Sequence, residues 1–185
     1  MNRTFAIIVL ATIVFSCSQR QPVPRRDAYP RMQLLDTAMV AADAPVYFLV
    51  NSQARIEQGR EDWLNVAYDL YGATMYVTFT ETTPENVETV KENRMERLLL
   101  NSGEQMSQHS EFVNRAGYSV VLSYSEGVAT PLQFIATDDS SMVVSGAVYF
   151  SNPKASASVD SIAPIIEALR DDIMRSMINL KSLQE

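Results

Sequence analysis

LNVAYDLYGATMYVTF, residues 64–79, carries two runs of period-two alternation on either side of Gly72. Leu64, Val66, Tyr68 and Leu70 alternate with Asn65, Ala67 and Asp69. After the break, Ala73, Met75, Val77 and Phe79 alternate with Thr74, Tyr76 and Thr78. Successive strand side chains point to opposite faces, so each run reads as a strand with one buried face. Upstream, Val46 to Val50 and Ala54 to Gln58 are weaker strand candidates joined by a polar turn at Asn51-Ser52. Gln58 to Asp62 is a break.

Downstream the period changes to 3.6. Thr82-Thr83-Pro84-Glu85 supplies a capping hydroxyl, a first-turn proline and acidic residues, so a helix is expected to run to about Asn101, with Gly103 ending it. Val87, Val90, Met95 and Leu98 form its inner face. Arg94 projects into the same face, where it either snorkels or finds a carboxylate. Three more strands follow at Tyr118 to Tyr124, Pro131 to Thr137 and Met142 to Phe150. The links at Ser125-Glu126-Gly127 and Asp138 to Ser141 are short, which makes neighbours antiparallel. A last helix, capped by Asp160 or Ser161 with Pro164 in its first turn, keeps Ile162, Ile165, Ile166, Leu169, Ile173, Met177 and Leu180 at helical spacing. The order strands, helix, three strands, helix gives an α+β domain: a mainly antiparallel sheet with two long helices packed on it.

The N-terminus has a different logic. Phe5 to Phe15 is apolar after a short basic start, yet falls short of the ~20 residues a transmembrane helix needs. It reads as an export signal over residues 1–16. The tetrad Val14-Phe15-Ser16-Cys17 looks like a bacterial lipobox, in which Cys17 is acylated and becomes the mature N-terminus; the other reading of a lone cysteine is a buried free thiol. Residues 17–36 then form an extended Pro/Arg tether, and residues 37–185 the single domain. Arg20, Arg25, Arg26 and Arg31 would either add to anchoring at an anionic surface or simply solvate the linker.

Net charge is −7 over the whole chain, and removal of the signal deletes only Arg3 from the charged residues. That acidic balance excludes a nucleic-acid partner, which requires a clustered basic face. With Cys17 the only cysteine, neither an internal disulfide nor a thiolate metal site can form. His109 is the only histidine, in a polar run from Gln105 to Glu111 read as a loop, and zinc takes about four ligands. Ser107 and Ser110 flank it, so a hydrolase built on His109 is a rival reading, but no Gly-x-Ser-x-Gly elbow is present. Asp138-Asp139 reads as a turn and Asp171-Asp172 as the exposed side of the last helix. No catalytic residue, metal or cofactor is expected. Aromatic residues beyond the needs of one core face, Tyr76 and Phe150 among them, point to a partner surface.

Ala28-Tyr29-Pro30-Arg31-Met32, Pro131 to Asp138, Gly146-Ala147-Val148-Tyr149-Phe150, and Asp160 to Ile166 running on to Arg170-Asp171-Asp172-Ile173 resemble the gliding motility lipoprotein GldD family of Bacteroidota. The resemblance implies a non-enzymatic lipoprotein of gliding and of the associated type IX secretion machinery, with Cys17 as the acylated residue. Ser18-Gln19-Arg20-Gln21 lacks an acidic run, which implies an anchor facing the periplasm, in the outer membrane in preference to the inner. Expected partners are the membrane through the lipid, and other gliding or secretion lipoproteins and translocon components. The partner-binding candidates are Tyr29 and Arg31 in the arm and Tyr76, Phe134, Tyr149 and Phe150 on the sheet. The alternative is a periplasmic lipoprotein that binds a lipid or a glycan.

Overall fold

The computed structural model describes residues 34–58, 62–103, 108–151 and 159–183. Among these residues eleven strands and two α-helices follow the α+β expectation. In chain order they are β1 (Met39–Ala41), β2 (Val46–Tyr47), β3 (Leu49–Asn51), β4 (Arg55–Gln58), β5 (Trp63–Tyr68), β6 (Ala73–Glu81), α1 (Val87–Asn101), β7 (Gln108–Val113), β8 (Ser119–Tyr124), β9 (Leu132–Thr137), β10 (Met142–Phe150), α2 (Val159–Asn179) and β11 (Lys181–Ser182).

Seven strands make one sheet in the order β4-β5-β6-β10-β9-β8-β7, every neighbour antiparallel. After β6 the chain crosses through α1 to the far edge, then meanders back strand by strand until β10 docks on β6. Two small ladders, β1 with β3 and β11 with β2, complete the fold.

The helices lie on opposite faces. Alternation along β9 sends Leu132, Phe134 and Ala136 into the main core, which α2 covers with Ile162, Ile166, Leu169, Ile173 and Met177. The opposite face of the same sheet sends Ile135 and Val143 to a smaller core under α1, with Val87, Leu98, Val90 and Met95. β9 is therefore buried at all six positions. On the α2 side, β5 and β6 bury Leu64, Val66, Tyr68, Ala73, Met75, Val77 and Phe79. At the centre, Phe134 stacks near Phe48 (centroids 6.5 Å apart) and Phe48 meets the edge of Phe79 (5.7 Å). Gly146 leaves the room that Phe134 fills: a Cβ there would sit 2.4 Å from Phe134 Cζ.

Several expectations change. Leu70 is 52% exposed because the chain leaves the β5 ladder at Asp69 and makes a 3-10 turn to Gly72, and Tyr71 takes the buried place. α1 begins at Val87 instead of at the Thr83-Pro84 step; the Asn86 side chain accepts from the Thr83 N–H, and residues 84–86 form a turn first. α2 begins at Val159, ahead of both proposed caps. Arg94 has no carboxylate partner among the described residues; it is half-buried and donates to Thr80 Oγ1 (3.1 Å). From Gln108 on, the stretch that holds His109 is not a loop but the edge strand β7.

Candidate functional site

On the α1 side of the sheet, the helix packs on β9 and on the Val143 end of β10, and its core reaches no further toward β5. Three rows of cross-strand neighbours remain on that face. They are Trp63–Thr78–Ser145, Asn65–Tyr76–Ala147 and Ala67–Thr74–Tyr149. Tyr76 is 47% and Tyr149 42% exposed, and the rest are half-buried except the buried Ala67. None of the nine is charged, in a chain that is 20% charged. A solvated sheet face ordinarily intersperses both signs of charge, so this face is set apart.

The charges stop at its border. Arg55 and Glu57 stand on the adjacent edge strand, and Arg55 pairs with both Glu57 and Asp69, donating to Asp69 through Nε and Nη2 (3.0 Å each). The guanidinium holds the Asp69 carboxyl below its usual range. These ions satisfy one another beside the platform without entering it.

Tyr76 and Tyr149 are diagonal neighbours on β6 and β10, their rings 5.4 Å apart and 84° to one another. With Thr74, Phe150 and Ser151 they line an open basin of about 510 Å3. Phe150 belongs to the other face of the strand: it pairs with Ala73 and is 9% exposed, so only its rim borders the basin. Phe134 is 1% exposed in the main core, because its strand is covered on both sides, and no partner can reach it in the folded domain. Cys17, Tyr29 and Arg31 lie outside the described residues. Trp63 and Asn65 were missed as members of the platform. The signal for Asn65 was present in residues 64–79, whose outward-facing half has Asp69 as its one charge, at the turn.

A second polar assembly fixes where the arm meets the domain. Leu35 N–H donates to the Tyr71 hydroxyl (2.9 Å), Asp36 N–H to Gln53 Oε1 (2.7 Å), and Asn51 Nδ2 to both Asp36 O (2.7 Å) and Asp172 Oδ2 (3.0 Å). Asp172 is 5% exposed, which corrects its expected place on the exposed side of α2; only Asp171 faces water. Arg175 Nη1 donates to Asp172 Oδ1 (3.0 Å). Burial raises the Asp172 pKa, against the opposing pull of Asn51 and Arg175.

His109 is exposed on β7, with Nε2 4.0 Å from Glu111 Oε1. Ser110, next along the strand, points to the other face, where Arg170 Nη2 donates to its hydroxyl at 3.5 Å. Ser123 is opposite His109 in register, but its buried hydroxyl has no hydrogen-bond partner, so the two do not form a nucleophile and base pair. Among the described residues no three His, Cys, Asp or Glu side chains are grouped to hold a metal, and no helix is long and apolar enough to cross a membrane.

No curated protein matches the chain. The family model described as gliding motility lipoprotein GldD matches residues 19–182, a span that takes in the platform, the pinned arm and both helices. The chain belongs to the gliding motility lipoprotein GldD family.

Proposed function

We propose that this protein is a non-catalytic assembly or stabilising subunit of the gliding motility and type IX secretion machinery. A lipid on Cys17 holds it facing the periplasm, at the outer membrane in preference to the inner. The tether then delivers Tyr29 and Arg31 to another lipoprotein or to a translocon component of the machinery. Family membership supports the gliding role, and the pinning of Leu35 and Asp36 is the observation that carries the docking role. Three side chains from two separate stretches, Tyr71 from one and Asn51 and Gln53 from the other, hold two consecutive arm residues. A segment that leaves a domain from a fixed point keeps less conformational freedom to lose when it binds. An extended arm of this kind can add to an exposed sheet edge of a partner.

Crosslinking in living cells followed by mass spectrometry tests the reading. Gliding or secretion components are expected with the intact lipoprotein, and neither with Cys17→Ser. Tyr29→Ala with Arg31→Ala is expected to reduce their recovery. Unchanged recovery from the double variant removes the arm from the interface, and absence of machinery components from the intact protein removes the assembly role. His109→Ala is expected to leave motility intact; loss of motility in a folded variant would favour a hydrolase.

A further inference from the structure

We propose that the corner formed by Tyr76 and Tyr149 on the bare sheet face is a binding site for a neutral saccharide.

A pyranose has an apolar C–H face and a rim of uncharged hydroxyls. The site offers the complement of each. Two tyrosine rings at 84° form a wall and a floor, so one can take the C–H face of a sugar while the other meets its edge. Both rings are more than 40% exposed, and both are set in antiparallel strands at the middle of the sheet, which fixes their separation. Around them are groups that donate and accept hydrogen bonds without charge: Thr74 and Ser151 at the basin, Asn65 beside Tyr76 in register, and the two phenolic hydroxyls. A few placed polar groups around apolar walls is the ordinary make-up of a small-ligand site, and about 510 Å3 is within the usual range for one.

Charge selects among ligands. Among the described residues no cation lines the basin to meet a phosphate, sulfate or uronate, and the chain as a whole is acidic. The nearby guanidinium, Arg55, is already paired with Asp69 and Glu57. An anionic sugar would therefore lose hydration with no counter-charge to replace it.

Size selects against a protein. Three strands at ~4.8 Å spacing and three same-face positions at ~6.8 Å intervals span roughly 10 Å by 14 Å. A stable protein interface takes about 800 Å2 from each partner. The platform is several times too small for that and suits a short oligosaccharide.

The test uses the full chain purified in lauryldimethylamine oxide, a detergent with no sugar headgroup. Neutral tetrasaccharides of glucose, mannose and N-acetylglucosamine are compared with a tetragalacturonate by saturation-transfer NMR and by titration of Trp63 fluorescence. At least one neutral sugar is expected to receive saturation and the uronate none. Tyr76→Ala or Tyr149→Ala should weaken binding about tenfold or more, the factor that corresponds to ~1.4 kcal/mol. Tyr76→Phe, which keeps the ring, should weaken it less, and amide spectra check that each variant is folded. No transfer to any neutral sugar at millimolar concentration overturns the proposal. So does binding that survives both alanine variants, or equal binding of the uronate.

Discussion

Replacing Gly146 by alanine puts one methyl group into the tightest place in the sheet. The added Cβ would lie 2.4 and 2.5 Å from Phe134 Cζ and Cε1, and 2.9 Å from the Tyr76 carbonyl oxygen. Carbon atoms pack at about 3.5–4.0 Å, so the overlap with the ring is about 1 Å. The ring has little room to retreat, since Phe134 is 1% exposed and stacked near Phe48, which is itself fully buried and met edge-on by Phe79. The carbonyl is part of the β6 ladder and yields still less. Overpacking of this kind costs about 1–3 kcal/mol, and the backbone contact puts Gly146→Ala at the upper end. At about 2–4 °C per kcal/mol for a domain of this size, the melting temperature should fall by about 10 °C. Urea unfolding followed by circular dichroism and Trp63 fluorescence reads the change as a lower midpoint at constant slope. The same substitution in a Phe134→Leu background removes the obstructing ring atoms. Its penalty there should shrink by about 1 kcal/mol or more, a coupling typical of residues in contact. An equal penalty in both backgrounds would refute the claim that Phe134 occupies the space the glycine leaves.

Asn114 donates to the Met177 and Leu180 carbonyls (2.8 Å each) and accepts from Ala116 and Tyr118 N–H (3.0 Å each), so Asn114→Ala should cost about 2–4 kcal/mol by urea titration. Asp172 has its pKa raised on folding, so its contribution to stability is largest at low pH and is lost as pH rises through the folded value. The stability of the wild type relative to Asp172→Asn should therefore increase as pH falls from 7 toward 4, measured from melting temperatures; a flat difference would show that the carboxyl is not buried as described. Asp138 is the opposite case. Burial alone would raise its pKa, but the Ser141 hydroxyl and the Met142, Ser140 and Ser141 amides together lower it. Its stabilising effect should be present above the ordinary carboxylate range and lost as pH falls through the depressed value, and Asp138→Ala should remove about 1–2 kcal/mol at pH 7 in the same assay.

The strands were legible wherever a covered face left a regular trace. Leu64 to Tyr68, Ala73 to Phe79 and Tyr118 to Tyr124 alternate because one face of each meets the main core, and α2 kept its spacing because it spans that core. β7 was not legible, since an edge strand with only Ser110 and Phe112 half-buried shows almost no apolar period. Asp172 was misread because an aspartate at helical spacing gives no sign of the asparagine, far away in the chain, that makes its burial tolerable. Phe134 and Phe150 were misplaced for a related reason: an aromatic residue in a strand does not say which face a helix will cover. The candidate site was half legible. Tyr76 and Tyr149 were named, but the absence of charge across three strands becomes visible only when the register brings distant segments side by side.

The ladder between β6 and β10 joins the two halves of the sheet along nine residues of each strand, and a helix and three strands separate those segments in the chain. A nascent chain therefore has β6 complete, with one long apolar-faced edge unpaired, until nearly the whole domain has followed. Until β10 is available that edge is a template for pairing with another copy. Folding that waits, with holding factors present, until residue 150 has emerged fits this topology better than stepwise folding from the N-terminus.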